Sequence, residues 1–403
     1  MKEYFTFYEE CILVEGNNGV AIYNLLDGNI YSFSKNEKEI VCLLKNGESI
    51  TNIHKKTKIE QVFIKNLITK LAEVNLGIST DFRNANIDLV MPAFWRELIF
   101  FKSPIILNKV FIIFGRNCNK DCYFCDDKNF IRTGNCLGCY KTLADTNIEE
   151  PALMEFLENI RVIGYNEINL VGGDLFYDIR LLKNILEKIK NGAIINIFWS
   201  GGDIDKEILT LLQNNNIHLF IQTIYSDSEK SEFKNLLQKL NNTGVKFSII
   251  ILLKDENDIQ KYHQIKLKYK EAAQNVYFDF VFHITEYQKF KEYIIPEIPR
   301  TSISEYLHKR IYNPCLYGTI ALQGDKMITS CPKSKKFLIG SSTDLVNTFN
   351  ATKYNKFWKL SKDKIDTCNQ CKYRYACDDC RFIQGLLTNN LKGMIECTRS
   401  ESY

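Results

Sequence analysis

The 403-residue sequence is poor in the residues that mark fibres and flexible tracts. Its 20 glycines and 7 prolines exclude a collagen-like repeat or a low-complexity disordered chain. It has no internal repeat and no long Lys/Arg run, and a net charge of only +4 is too weak to argue for nucleic acid or an anionic membrane surface. Long uncharged apolar runs are also missing. The most apolar tract, Leu98 to Phe114, is cut by Lys102 and Lys109, well short of the ~18 residues that span a bilayer. The opening MKEYFTFYEECILVEG carries acidic residues where an export signal needs an unbroken apolar region. A cytoplasmic protein is expected, with neither membrane nor nucleic acid as partner. With 45% hydrophobic and 25% charged residues the chain is of globular composition, and its length predicts two or three domains.

What the sequence has is cysteine. Fourteen are present, and in a reducing compartment metal or redox chemistry explains them better than disulfides. Cys11 and Cys42 sit alone in apolar segments and are expected to be small buried hydrophobes. The other twelve fall between 118 and 139 and between 315 and 397, with 175 cysteine-free residues separating the groups.

Three regions follow one another. In the first, CILVE, VAIYNL and NIYSFS read as short strands, the last two joined through Asp27, Gly28 and Asn29, a hairpin signal. Ser34 and Glu37 form a capping box before EIVCLLKN; SITNIHKKT and EQVFIKNLITKLAEVN continue as helices. Three strands and three helices make a winged-helix-like unit, and His54, Lys55, Lys56 and Lys58 are its basic cluster. An aromatic-rich connector follows. From 109 to 283 VFIIFG, EINLVGGD, INIFWSGG, HLFIQTIYS, KFSIIILL and VYFDFVF alternate with helical runs such as DIRLLKNILEKIKN, SEFKNLLQKL and DIQKYHQIKLKYKEA. This predicts an α/β fold with a parallel sheet, open or bent into a partial barrel, its site at the carboxyl ends of the strands. Beyond about 300 the alternation stops and cysteines dominate, which predicts a metal-stapled tail.

The first cysteine group allows two readings. Cys122, Cys125, Cys136 and Cys139 make C-x2-C-x10-C-x2-C, suited to a tetrahedral zinc. Cys118, Cys122 and Cys125 make C-x3-C-x2-C directly after a strand, and three thiolates on a 4Fe-4S cube leave one iron without a protein ligand. The second reading also accounts for Cys118. The tail adds Cys315 and Cys331, the run C-x2-C-x5-C-x2-C from Cys368 through Cys371 and Cys377 to Cys380, and Cys397. Seven thiolates are too many for one zinc and nearly enough for two four-ligand clusters.

Three stretches carry resemblances. GRNCNKDCYFC resembles the signature of the radical SAM family, which implies a partial (β/α)6 TIM-type barrel and a 4Fe-4S core cluster on Cys118, Cys122 and Cys125. S-adenosyl-L-methionine would bind at the open iron, and an external one-electron reductant would generate a 5′-deoxyadenosyl radical from it. Gly172-Gly173-Asp174 is similar to the family's Gly-Gly-Glu at the end of the second strand, Asp shortening the reach. Phe124, Ser200 with Gly201, and Thr223 stand where the family places cofactor contacts. The tail, with KIDTCNQCKYRYACDDCR, resembles the SPASM extension of peptide-modifying enzymes. That likeness assigns Cys315, Cys331 and Cys380 to auxiliary iron-sulfur cluster I, and Cys368, Cys371, Cys377 and Cys397 to cluster II. It departs from the extension in two spacings: Cys377 and Cys380 are one residue closer than is commonest, and six residues rather than four separate Gly324 from Cys331. Cluster I lacks an obvious fourth thiolate, and Cys136 and Cys139 remain open between a further metal site and free thiols at the site's mouth. YNLLDGNIYSFSKNEKEIVCLLKNGESI and LITKLAEVNLGI resemble the PqqD-like recognition domain, which implies that the leader of a ribosomal precursor peptide adds as a strand.

Together these imply a radical SAM/SPASM maturase of precursor peptides, similar to the grasp-with-spasm type that accompanies an ATP-grasp ligase. The expected domains are recognition 1–82, linker 83–105, core 106–300 and SPASM 301–403. Crosslink, thioether, epimerisation and oxidation all remain open as products. A non-catalytic metal-cluster scaffold that binds peptide, and a zinc-containing winged-helix regulator, are the competing classes.

Overall fold

The computed structural model describes residues 3–83, 106–114, 122–125, 129–133, 136, 138–139, 146–189, 191–202, 204–213, 216–261, 264, 267, 275–294, 300–350 and 355–395. Cys118, Cys397, the connector and much of the expected helix after residue 258 lie outside them.

The N-terminal unit runs β1 (Tyr4–Phe7), β2 (Cys11–Gly16), β3 (Gly19–Asn24), β4 (Ile30–Phe33), α1 (Lys35–Lys45), α2 (Ile50–Thr57), α3 (Gln61–Glu73) and β5 (Gly77–Thr80). Strands β2, β3 and β4 form an antiparallel sheet, and β1 pairs with β5 in a second, two-stranded one that the sequence reading did not anticipate. Gly28 takes φ +78 in the turn between β3 and β4, where the Asp27 carboxylate accepts from the Asn29 N–H. The capping box is present in full: Ser34 accepts from the Glu37 N–H, and Glu37 accepts from the Ser34 N–H at 2.8 Å. Cys11 is fully buried in this unit's core, and burial pushes its thiol up to about 12.

Each of the six expected core strands is present: β6 (Leu107–Ile113), β8 (Tyr165–Val171), β9 (Ile194–Trp199), β10 (Ile217–Ile224), β11 (Phe247–Leu253) and β12 (Val276–His283) pair in parallel in that order. Short β7 (Phe130–Arg132) adds antiparallel to β12. At the other edge β13 (Thr319–Leu322) pairs in parallel with β6, followed by β14 (Met327–Thr329) and β15 (Leu338–Ser341). The cysteine-rich tail thus shares one ten-stranded sheet with the α/β region.

Period-two alternation divides the sheet between two apolar cores. One face carries Val110, Ile112, Ile168, Leu170, Ile197, Leu219, Ile221, Ile249 and Ile251. The longer crossover helices α4 (Glu150–Ile163), α5 (Ile179–Lys188), α6 (Lys206–Gln213) and α7 (Ser231–Thr243) cover it with Phe156, Ile185, Leu212 and Leu240. The opposite face carries Phe111, Ile113, Val171, Phe198, Phe220, Ile250 and Leu252, and Phe124, Cys122 and Cys136 pack on it. Sheet parity therefore puts the first cysteine group on the face away from these helices.

The N-terminal sheet is joined to the tail. Asn17 N–H donates to Gln370 O at 3.0 Å, Tyr23 Oη to Lys372 O at 3.1 Å, Lys372 Nζ to Phe33 O at 3.2 Å and Arg374 Nη1 to Glu15 O at 2.7 Å. A Cβ on Gly16 would stand 2.6 Å from Lys372 N and 2.8 Å from Gln370 O. Gly16→Val is therefore expected to lower the unfolding free energy by about 1–3 kcal/mol through overpacking, read from denaturant melts. An unchanged midpoint would mean that the joint yields without cost.

Candidate functional site

A cleft of about 720 Å³ opens at the carboxyl ends of the parallel strands, where ligands bind in such sheets. Its wall includes Cys122 and Phe124, Ser200 and Gly201 after β9, Gln222 and Thr223 at the end of β10, and Leu252 of β11. Phe124 is 7% exposed, packed on the sheet by Phe111, Phe198 and Phe220 while it borders the cleft. Thr223 donates only to the neighbouring Ile224 carbonyl, at 3.3 Å. Ser200 Oγ is buried and has no hydrogen-bond partner among the described residues. Gly201 holds φ +81, and a Cβ there would meet nothing within 4 Å.

Gly172, Gly173 and Asp174 line a separate hollow of about 80 Å³ at the end of β8, with Phe114 and Leu182. Both glycines sit in the left-handed region, φ +91 and +79, which explains the residue type. Asp174 Oδ1 accepts from the Phe176 N–H at 3.2 Å, so one carboxylate oxygen is already engaged in a local turn.

Beside the cleft a polar network fixes the loop that carries the later cysteines of the first group. Arg132 and Asp279 are 6% and 1% exposed; Arg132 Nε donates to Asp279 Oδ2 at 2.7 Å and Nη1 to the Cys139 carbonyl at 2.5 Å. The Cys139 N–H donates to Gln222 Oε1 at 2.9 Å. Gly138, at φ +100, lies so close that a Cβ would collide with Arg132 Nη2 and stand 2.5 Å from Gln222 Oε1. Sequence reading missed Arg132, Gln222 and Asp279. The available signal was a polar residue among apolar ones, Gln222 in HLFIQTI and Asp279 in VYFDFVF, since a buried polar group needs a partner.

In the tail, Cys315, Cys331 and Cys380 come together. Burial pushes all three thiols up, Cys380 to about 11, and among neighbouring charges the thiol of Cys136 adds most to each rise. Cys368, Cys371 and Cys377 form a second neighbourhood around buried Lys362. Burial opposes the charge of Lys362, but Asp379 first, then Cys377 and Cys368, raise its pKa above the ordinary lysine value. Burial pushes Cys368 up to about 11, and Cys371 adds to the rise. Asp379 lies between Lys362 and Arg381; burial alone would raise its carboxyl, yet the two cations hold it below the usual range. Among the described residues, no group of three or more His, Cys, Asp or Glu side chains is already set to hold a metal ion, and no helix is long and apolar enough to cross a membrane.

No protein-family model matches the sequence, and no curated protein matches it. Solved structures do match. SuiB of Streptococcus suis bound to the precursor peptide SuiA aligns with a TM-score of 0.51 at 12% identity, over 98% of this chain and 100% of that one. The structure of anSMEcpe with bound AdoMet aligns with a TM-score of 0.51 at 14% identity, over 73% of this chain and 91% of that one. Native anSMEcpe with AdoMet and a Cp18Cys peptide aligns with a TM-score of 0.50 at 13% identity, over 72% and 94%. The likeness is one of fold.

Removing one partner of a buried ion pair strands the other, so Arg132→Met is expected to cost about 3–5 kcal/mol and to speed alkylation of Cys139 in the reduced, metal-free chain. Adding Asp279→Leu should restore most of the stability but not the slow alkylation. Calorimetry and peptide mapping read the two effects, and an Arg132→Met variant as stable as wild type would contradict the argument.

Proposed function

We propose that this chain is a radical SAM enzyme that modifies a ribosomally made precursor peptide. Residues 1–82 would form a PqqD-like recognition element, 83–105 a linker, 106–300 a partial-barrel core and 301–403 a SPASM domain. The observation that carries the reading is the shared wall of the large cleft, on which Cys122, Phe124, Ser200, Gly201 and Thr223 meet from three separate stretches of sequence. The fold likeness to SuiB, solved with a precursor peptide, and to anSMEcpe, solved with AdoMet, supports it.

Cys118, Cys122 and Cys125 would hold a 4Fe-4S core cluster, which with S-adenosyl-L-methionine and an external one-electron reductant would supply the radical chemistry that starts hydrogen abstraction from the peptide. The chain's own residues suit such a guest. The buried Ser200 hydroxyl lacks a partner among the described residues, and a polar ligand in the cleft would satisfy it. Gly172, Gly173 and Gly201 let the backbone come close where a side chain would intrude. Asp174 lines the separate hollow at the end of β8 and would have to reach the methionine ammonium from there. Phe124 closes the cleft against the sheet and keeps water from the reacting atoms.

Cys315, Cys331 and Cys380 would hold auxiliary iron-sulfur cluster I, and Cys368, Cys371, Cys377 and Cys397 cluster II, relaying electrons from an external reductant. The leader would add to an outer strand of the β2–β4 sheet, and an ATP-grasp ligase is the partner enzyme expected in the cytoplasm.

Anaerobic reconstitution with iron and sulfide, followed by dithionite, is expected to release 5′-deoxyadenosine from the wild type and none from Cys122→Ala. Ser200→Ala should bind S-adenosyl-L-methionine about fivefold more weakly, the worth of one hydrogen bond. Equal silence of wild type and Cys122→Ala would end the reading.

A further inference from the structure

The first cysteine group and the tail, 176 residues apart from Cys139 to Cys315 in the sequence, meet at one place in the fold. Cys136 packs on the same sheet face as Phe111 and Ala321. Ala321 of β13 pairs with Thr329 of β14, and the Thr329 hydroxyl donates to the Cys331 carbonyl at 2.8 Å. From the other side, Ile131 of β7, five residues before Cys136, shares a small apolar core with Ile383, against which Cys380 packs. Cys380 is the residue before helix α8 (Arg381–Thr388). Two routes through the packing therefore link the surroundings of Cys136 with those of Cys331 and of Cys380. Cys315 belongs with them: the residue after its turn, Gly318, leads directly into β13.

We infer that Cys136 is the fourth thiolate of the site formed by Cys315, Cys331 and Cys380, closing a four-cysteine cradle for an iron-sulfur cluster; the inference rests on the reading above. The backbone of Cys136 is held at φ +59, a conformation that a residue with a Cβ rarely adopts and that persists only where its surroundings impose it. Those surroundings are built. The Arg132–Asp279 pair and the Gln222 amide clamp the main chain of Cys139, three residues on. Four thiolates satisfy a 4Fe-4S cube, and a cube spreads its ligands farther apart than a single zinc does. The cluster so held would have no open iron, which assigns it to electron transfer and leaves substrate-like chemistry to the three-cysteine core.

The test uses the full chain with Cys118, Cys122 and Cys125 all changed to Ala, so that only auxiliary clusters contribute. After anaerobic reconstitution and mild ferricyanide oxidation, Cys136→Ala in this background is expected to lose about one iron per chain and to show a three-iron electron paramagnetic resonance signal. Cys139→Ala should show neither change. The same signal in both variants, or in neither, overturns the inference while leaving 5′-deoxyadenosine release, and so the reading itself, intact. A chain that takes up no iron at all defeats the parent reading. In that case the placement of Cys136 is decided by gentle oxidation of the reduced, metal-free chain and disulfide mapping. A bond from Cys136 to Cys315, Cys331 or Cys380 sustains the four-cysteine grouping, and a bond to Cys139 alone refutes it.

Discussion

A guanidinium withdrawn from water has to be matched on nearly every N–H it owns, and Arg132 shows how far that requirement reaches. Its partner, Asp279, sits on β12, the last of the parallel strands, and its remaining donors reach the Cys139 carbonyl. Because either charge left alone inside the protein would cost several kcal/mol, the pair ties the loop of the first cysteine group to the sheet face opposite the crossover helices. Gly138 is the residue that permits this closeness, since any side chain there would displace the guanidinium. The cleft beside it, the orientation of Gln222 and the presentation of Cys136 all follow from that one buried contact.

Much of the architecture was legible because local pattern and tertiary role agree. Strands β6 and β8 to β12 are apolar runs spaced by helical segments, and in a sheet buried on both faces a continuous run is what each strand must be. The Ser34–Glu37 box and the Gly28 turn were legible for the same reason: their chemistry is completed within a few residues. Strands β13, β14 and β15 were not legible as part of the main sheet. They are three or four residues long; β13 joins the sheet by pairing with β6, some two hundred residues earlier, which leaves no local mark, and β14 and β15 follow it antiparallel. Strands β1 and β5 fail to announce themselves similarly, each depending on the other across the whole N-terminal unit.

The candidate site divides along the same line. Residue types that a strand end demands, such as the Gly172–Gly173 pair with both φ values positive, could be picked out from the sequence. Residues whose role lies in a distant partner could not. Gln222 and Asp279 looked like interruptions in apolar strands until Cys139 and Arg132 stood opposite them. For the tail cysteines, spacing alone did not divide the thiols, and the division expected came from the SPASM resemblance. Cys380 follows Cys377 by three residues, yet Cys380 keeps company with Cys315 and Cys331 while Cys377 lies by Lys362 and Cys368. Asp379 explains the divergence, because its carboxylate is pinned between Lys362 and Arg381 and turns the chain between the two thiols.

The joint between the N-terminal sheet and the tail gives these local arrangements a common consequence. Its hydrogen bonds land on residues 370 to 374, the segment that begins beside Cys371 and leads towards Cys377. The backbone that orders these thiols is therefore also the backbone on which β2, β3 and β4 rest. Anything that shifts one must be accommodated by the other, because Gly16 leaves no slack at the contact. The same tail strands extend the main sheet from β6, so the N-terminal sheet is coupled to the edge of the sheet whose opposite side holds Arg132 and the cleft. Close-packed interiors transmit strain, and here the path from β3 into the cysteine-rich segment runs through the Tyr23 hydroxyl to the Lys372 carbonyl, beside the main-chain bond from Asn17 to Gln370. A strand added beside β2 or β4 would accordingly load the segment that holds Cys371 before it reached the cleft.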